Sequence, residues 1–116
     1  MDLSNEQIAE AFSRHRFDRT YDYLADTIQW DVIRGERIDG KEQVVAACRQ
    51  SVAYLADVVT TFGKFRLVVG EGCVVIDSEA EYRGKDGDVS KVASCDLYDF
   101  SAGKLTKITS YTVELP

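Results

Sequence analysis

The chain has 116 residues, 45% of them apolar and 29% charged, with a formal net charge of -6. That length fits one domain spanning residues 1-116, and a domain of this size buries roughly two-thirds of the surface its unfolded chain exposes, enough for a core without staples. The acidic balance favours solubility and argues against a nucleic-acid partner, because Asp18 and Asp22 dilute the densest basic run, Arg14, Arg16 and Arg19.

Cys48, Cys73 and Cys95 are odd in number, far apart and without CxxC spacing, which argues against a disulfide framework or a structural zinc site. With His15 the only histidine, no metal site is expected. The cysteines read as reduced, half-buried thiols. No Gly-rich phosphate loop or nucleophile elbow occurs, so no cofactor is expected. The start, Met1-Asp2-Leu3-Ser4-Asn5, has neither a basic nor an apolar region of a signal peptide. No apolar run approaches bilayer length. The expectation is a cytoplasmic protein with no membrane partner.

In chain order, Ser4 or Asn5 caps a first helix with Glu6 in its first turn, and Ile8, Ala11 and Phe12 follow at helical spacing. After a break at His15-Arg16, Phe17, Tyr21 and Leu24 suggest a second short helix ending at Ala25-Asp26. Thr27 to Arg34 is β-branched and aromatic, a strand. A turn-rich loop leads to Asp39, an N-cap candidate completed by Glu42 as a capping box. The longest helix runs from Lys41 to Ala56 with Val44, Val45, Cys48, Val52 and Leu55 as its apolar stripe.

Four long strands follow, Val58–Val69, Cys73–Arg83, Val89–Ser101 and Lys104–Leu115, separated by glycine-bearing turns. Helices first and then consecutive hairpins define an α+β fold, with helices on one face of an antiparallel meander. Strands this long must twist and bend. A long helix across the concave face then makes a cone with an interior.

Alternation assigns Val92, Ser94, Asp96, Tyr98 and Phe100 to the concave face, and places Tyr111 outside, away from Ile108, Ser110 and Thr112. Asp96 is thus a carboxylate among aromatics. Asp31 is a second candidate, following Trp30 near the end of the first strand. Two carboxyls in different surroundings can divide into a base and an acid. The competing structural reading has Asp31 capping loop amides and Asp96 bonding a neighbouring tyrosine. His15, in the charged stretch Arg14-His15-Arg16, reads as a solvated helix-end residue, with a replacement donor or base as the alternative. Tyr54 and Phe62 are assigned to the core or a subunit contact.

The stretches Asp31…Gly40-Lys41-Glu42-Gln43-Val44-Val45 and Asp96-Leu97-Tyr98-Asp99-Phe100…Gly103-Lys104-Leu105 resemble the ketosteroid isomerase branch of the nuclear transport factor 2-like superfamily, whose layout SnoaL-like polyketide cyclases share. The resemblance covers nearly the whole chain. It implies a cystatin-like cone enclosing a pocket for a small hydrophobic, carbonyl-bearing ligand. It further implies Asp31 as the base that moves a proton beside the carbonyl, and Asp96 as the acid that hydrogen-bonds the oxyanion. Tyr23 matches a supporting tyrosine. Phe12 or nearby Ala11 stands where the isomerases carry an oxyanion tyrosine, Cys48 replaces a supporting tyrosine, and Val32 follows the base where proline is expected.

Two functions follow. One is a ligand-binding protein or an isomerase- or lyase-type enzyme, with Asp31 and Asp96 flanked by Phe12, Tyr23, Trp30, Cys48, Tyr98, Phe100, Ile108 and Ser110. The other is a non-catalytic dimerising module whose cone is plugged by Trp30, Tyr98 and Phe100. A homodimer through the outer sheet face is expected in either case, with Leu67, Val69, Val75 and Leu97 as contact candidates.

Overall fold

The computed structural model describes residues 2–116. Helix α1 spans Asn5–Ser13, and its start is a complete capping box: Gln7 N–H donates to Ser4 Oγ at 3.1 Å, and Ser4 N–H to Gln7 Oε1 at 2.9 Å. The second short helix is instead two 3-10 turns, Phe17–Arg19 and Tyr21–Tyr23. Strand β1, Leu24–Val32, starts three residues earlier than the β-branched run suggests, because buried Leu24 already pairs with Leu105.

A short strand β2, Arg37–Asp39, follows, and this changes the cap of α2, Lys41–Leu55. Asp39 pairs with Gln29 in the sheet and bonds Arg37 at 3.3 Å, so Gly40 is the N-cap and no side chain caps the helix. Gly40 has φ 89°, a left-handed value that favours glycine, and its N–H bonds Ile28 O at 2.7 Å. Of the expected stripe on α2, Val44 and Cys48 are buried, whereas Val52 is 51% exposed.

The remaining strands, β3 Val59–Gly70, β4 Cys73–Arg83, β5 Val89–Ser101 and β6 Lys104–Leu115, form the expected meander. The sheet nevertheless has six strands, in the order β2-β1-β6-β5-β4-β3, because β1 adds to β6 in parallel. The protein is therefore α+β, two helices on a curved, mainly antiparallel sheet. Register shifts between Phe62 and Phe65 and between Asp99 and Phe100 mark bulges, which bend strands locally.

Register fixes which side chains share a face. One concave row runs Trp30, Ile108, Tyr98, Val74, Val69, and the next runs Val32, Ser110, Asp96, Ile76, Leu67. The convex row between them is Asp31, Thr109, Leu97, Val75, Val68. Leu67 and Val69 are thus concave, not convex: the hairpin places each opposite an inward residue of β4. Tyr111 is convex as expected, and exposed.

The core fills one end of the concave side. Ile8 and Phe12 from α1 and Val44 and Cys48 from α2 meet Val74, Ile76, Tyr98, Leu105 and Ile108. Burial pushes the Cys48 thiol up to about 12, so it is an inert apolar group here. No helix among the described residues is long and apolar enough to cross a membrane.

Candidate functional site

Beyond the core the concave face opens into a cleft of about 870 Å³ between the end of α1, the second half of α2 and the sheet. Trp30, Ser94, Asp96, Tyr98 and Ser110 come from the strands, Phe12, Ser13 and His15 from the α1 end, and Gln50, Ser51 and Tyr54 from α2. Phe12 meets Trp30 and Tyr98 edge-on, at centroid distances of 5.1 and 5.9 Å. These rings make one end of the cleft apolar and shaped.

Asp96 sits among them. Burial raises its carboxyl above the usual value, opposed by hydrogen bonds from Ser110 and Ser13. The Trp30 indole N–H donates to Ser110 Oγ at 3.0 Å, which leaves the Ser110 proton free for Asp96. Ser13 Oγ and the Tyr98 hydroxyl share a 2.6 Å hydrogen bond. Burial first, then the Asp96 charge, holds the Tyr98 phenol well above its ordinary value, so it stays a neutral donor. No Lys or Arg is among the described residues lining the cleft, so no cation balances Asp96 there.

Of the residues singled out by sequence, Phe12, Trp30, Asp96, Tyr98 and Ser110 line this cleft together. Cys48, Phe100 and Ile108 are in the core beside it. Tyr23 packs against the core, and its hydroxyl accepts from Leu3 N–H at 3.0 Å. Asp31 is separated from Asp96: alternation that turns Trp30 and Val32 inward turns Asp31 to the convex face, and it does not line the cleft.

Ser13, Tyr82 and His15 are among the lining residues that escaped the sequence reading or were set aside by it, as is Tyr54, which lines the cleft instead of the core. Ser13 follows buried Ala9 by four positions on α1, which puts both on one helix face. Tyr82 continues the inward alternation of Ile76, Ser78 and Ala80. His15 lines the cleft instead of standing in solvent. It occupies the residue just past the α1 cap, with φ 64°. Its N–H bonds Phe12 O, and Arg16 N–H bonds Ala11 O at 2.8 Å, the paired closure of a Schellman motif. Glycine is the usual occupant of that left-handed position, and an L side chain there costs about 1 kcal/mol.

Asp96 carries a stability consequence. Its folded carboxyl holds its proton more tightly than the unfolded one, so its ionisation destabilises the fold as pH rises above the unfolded value near 3.8. Asp96→Asn should therefore raise the melting temperature at pH 7, with the gain vanishing below about pH 3.8. Thermal melts of both proteins across pH check this; a gain that persists in acid would assign it to another cause.

A family model described as a SnoaL-like domain matches residues 5–108. None of the curated proteins matches the chain. Among solved structures, a nuclear transport factor 2-like protein from Cytophaga hutchinsonii is similar at 28% identity and TM-score 0.81, over 91% of this chain and 93% of that one. A protein with a ketosteroid isomerase-like fold from Catenulispora acidiphila, solved in complex with trimethylamine, is similar at 16% identity and TM-score 0.69, over 94% and 86%. An LEH-like epoxide hydrolase of M. tuberculosis is similar at 16% identity and TM-score 0.70, over 93% and 78%. At such identities the last two speak for the fold alone. With the model match spanning most of its length, the chain belongs to the SnoaL-like family of the nuclear transport factor 2-like superfamily.

Proposed function

We propose that the cleft binds a small hydrophobic molecule through a carbonyl oxygen held at Asp96, and that proton transfer beside that carbonyl is the chemistry the site supports. The observation that carries the reading is a partly buried carboxyl set in the cleft among rings and hydroxyls with no Lys or Arg lining it. A carboxyl that holds its proton more tightly than usual can donate it as a hydrogen bond to an approaching carbonyl oxygen, and donors aimed at that oxygen favour the charge that enolisation develops there. Ser13 and Tyr98 supply further hydroxyls at the same spot. Phe12 and Trp30 offer apolar surface to the ligand body. The open volume of about 870 Å³ favours this reading over a cone filled by its own side chains.

Trp30 is the only tryptophan and lines the cleft, so its fluorescence reports occupancy. Titration with 2-tetralone, a compact ketone, should quench it. Asp96→Ala should weaken binding roughly tenfold by removing the donor, and Asp96→Asn less, because an amide still donates. Asp31→Asn should bind as the wild type does. Unchanged affinity in both Asp96 variants would contradict the assignment.

We also infer that two copies of the chain pair through the convex face. Val68, Val75, Leu97, Tyr111 and Val113 stand there, and Val113 is 61% exposed. Sedimentation should give a dimer, and Tyr111→Lys with Val113→Lys a monomer; a monomeric wild type at high micromolar concentration would overturn the pairing.

A further inference from the structure

Proton transfer needs a base as well as an oxyanion donor, and Asp31 stands on the far face of the sheet from Asp96. His15 is differently placed. It lines the same cleft as Asp96, and its ring lies against three others: Phe17 and Phe62, each at 5.6 Å, and Tyr82, stacked at 6.2 Å and 24°. Tyr82 and Asp96 line the same cleft from the neighbouring strands β4 and β5. The backbone position makes the case sharper. Glycine would close α1 without strain, yet the chain carries an imidazole there and turns it into the cleft.

We propose that His15 is the general base of the cleft, removing a proton from the carbon next to a ligand carbonyl held by Asp96. This rests on the carbonyl-binding reading of the cleft. The imidazole nitrogen takes the proton; the C–H electron pair becomes a new C=C bond. The carbonyl π pair moves onto oxygen, where the Asp96 carboxyl and the Ser13 hydroxyl donate to it. The imidazolium returns a proton to the same carbon, exchanging it with solvent, or to the far carbon of a dienol, shifting a double bond. No other reactant is consumed.

Burial lowers the His15 pKa below 6.5, so the ring is neutral, as a base must be, near pH 7. Tyr82 from β4 stacks on it, Arg14 is beside it in the chain, and Asp96, Glu36, Asp86 and Asp88 line the same cleft. The Arg14 guanidinium sits 3.9 Å over Phe65 and 5.5 Å over Phe62, on β3.

The test follows loss of the C1 protons of 2-tetralone in D2O by proton NMR, above the buffer rate, with the full chain. His15→Gly and His15→Asn both suit a left-handed backbone, so both should melt at or above the wild-type temperature. Both should lose exchange by about 100-fold or more. Free imidazole should restore part of the rate in His15→Gly, which a packing role would not allow. If His15→Gly fails to fold, His15→Asn carries the comparison. Wild-type exchange in His15→Asn, loss without rescue in a folded His15→Gly, or a wild type that quenches Trp30 with the ketone yet exchanges no faster than buffer would overturn His15 as base and leave the binding reading intact. A wild type that shows neither quenching nor exchange would overturn both.

Discussion

The long strands outrun the helices that cover them. At about 3.3 Å per residue, the 13 residues of β5 reach roughly 43 Å. At 1.5 Å per residue, the 15 residues of α2 reach roughly 22 Å, and the 9 residues of α1 still less. The helices can therefore close only part of the concave face. At the covered end Val74, Phe100, Leu105 and Ile108 form a dry core with Ile8, Val44 and Cys48. At the other end Val92, Ser94, Asp96 and Thr112 line a cleft. Tyr98 belongs to both, fully buried on the core side while its hydroxyl meets Ser13 at the cleft.

The position of Asp96 follows from that boundary. One register step toward the core would have buried a carboxyl among aliphatic groups, at severe cost. One step to either side in sequence would have put it on the convex face with Cys95 or Leu97. Where it lies, hydroxyls from α1 and β6 meet it, and the Trp30 indole orients one of them. The result is an acid whose neutral form the surroundings favour, with its donors held from several elements at once. Such an arrangement is built before any ligand arrives.

Much of this was legible in the sequence. Strict alternation in β5 turns Asp96 and Tyr98 inward, and the structure keeps that register up to the bulge at Asp99. The same rule sets Trp30 and Asp31 on opposite faces of β1 but does not say which faces inward; alternation and the resemblance together gave that side to Asp31, and the sheet register gives it to Trp30. What could not be read was the addition of β1 to β6 in parallel, since nothing local in Leu24–Val32 names its partner. Asp39 was misassigned as a cap because a three-residue strand has too little pattern to show. His15 was set aside because its neighbours are charged, yet at the Schellman turn that ends α1 its ring packs among Phe17, Phe62 and Tyr82.

The proton of Asp96 decides whether the cleft can hold a carbonyl oxygen. Carbon-13 NMR of aspartate carboxyls, assigned by the loss of one resonance in Asp96→Asn, measures it directly. Asp96 should titrate above the ordinary value of 3.8, and higher still with 2-tetralone bound, because a carbonyl that accepts the acid's proton favours the protonated form. A carboxyl that titrates at or below 3.8, or one that the ketone leaves unmoved, would contradict the account.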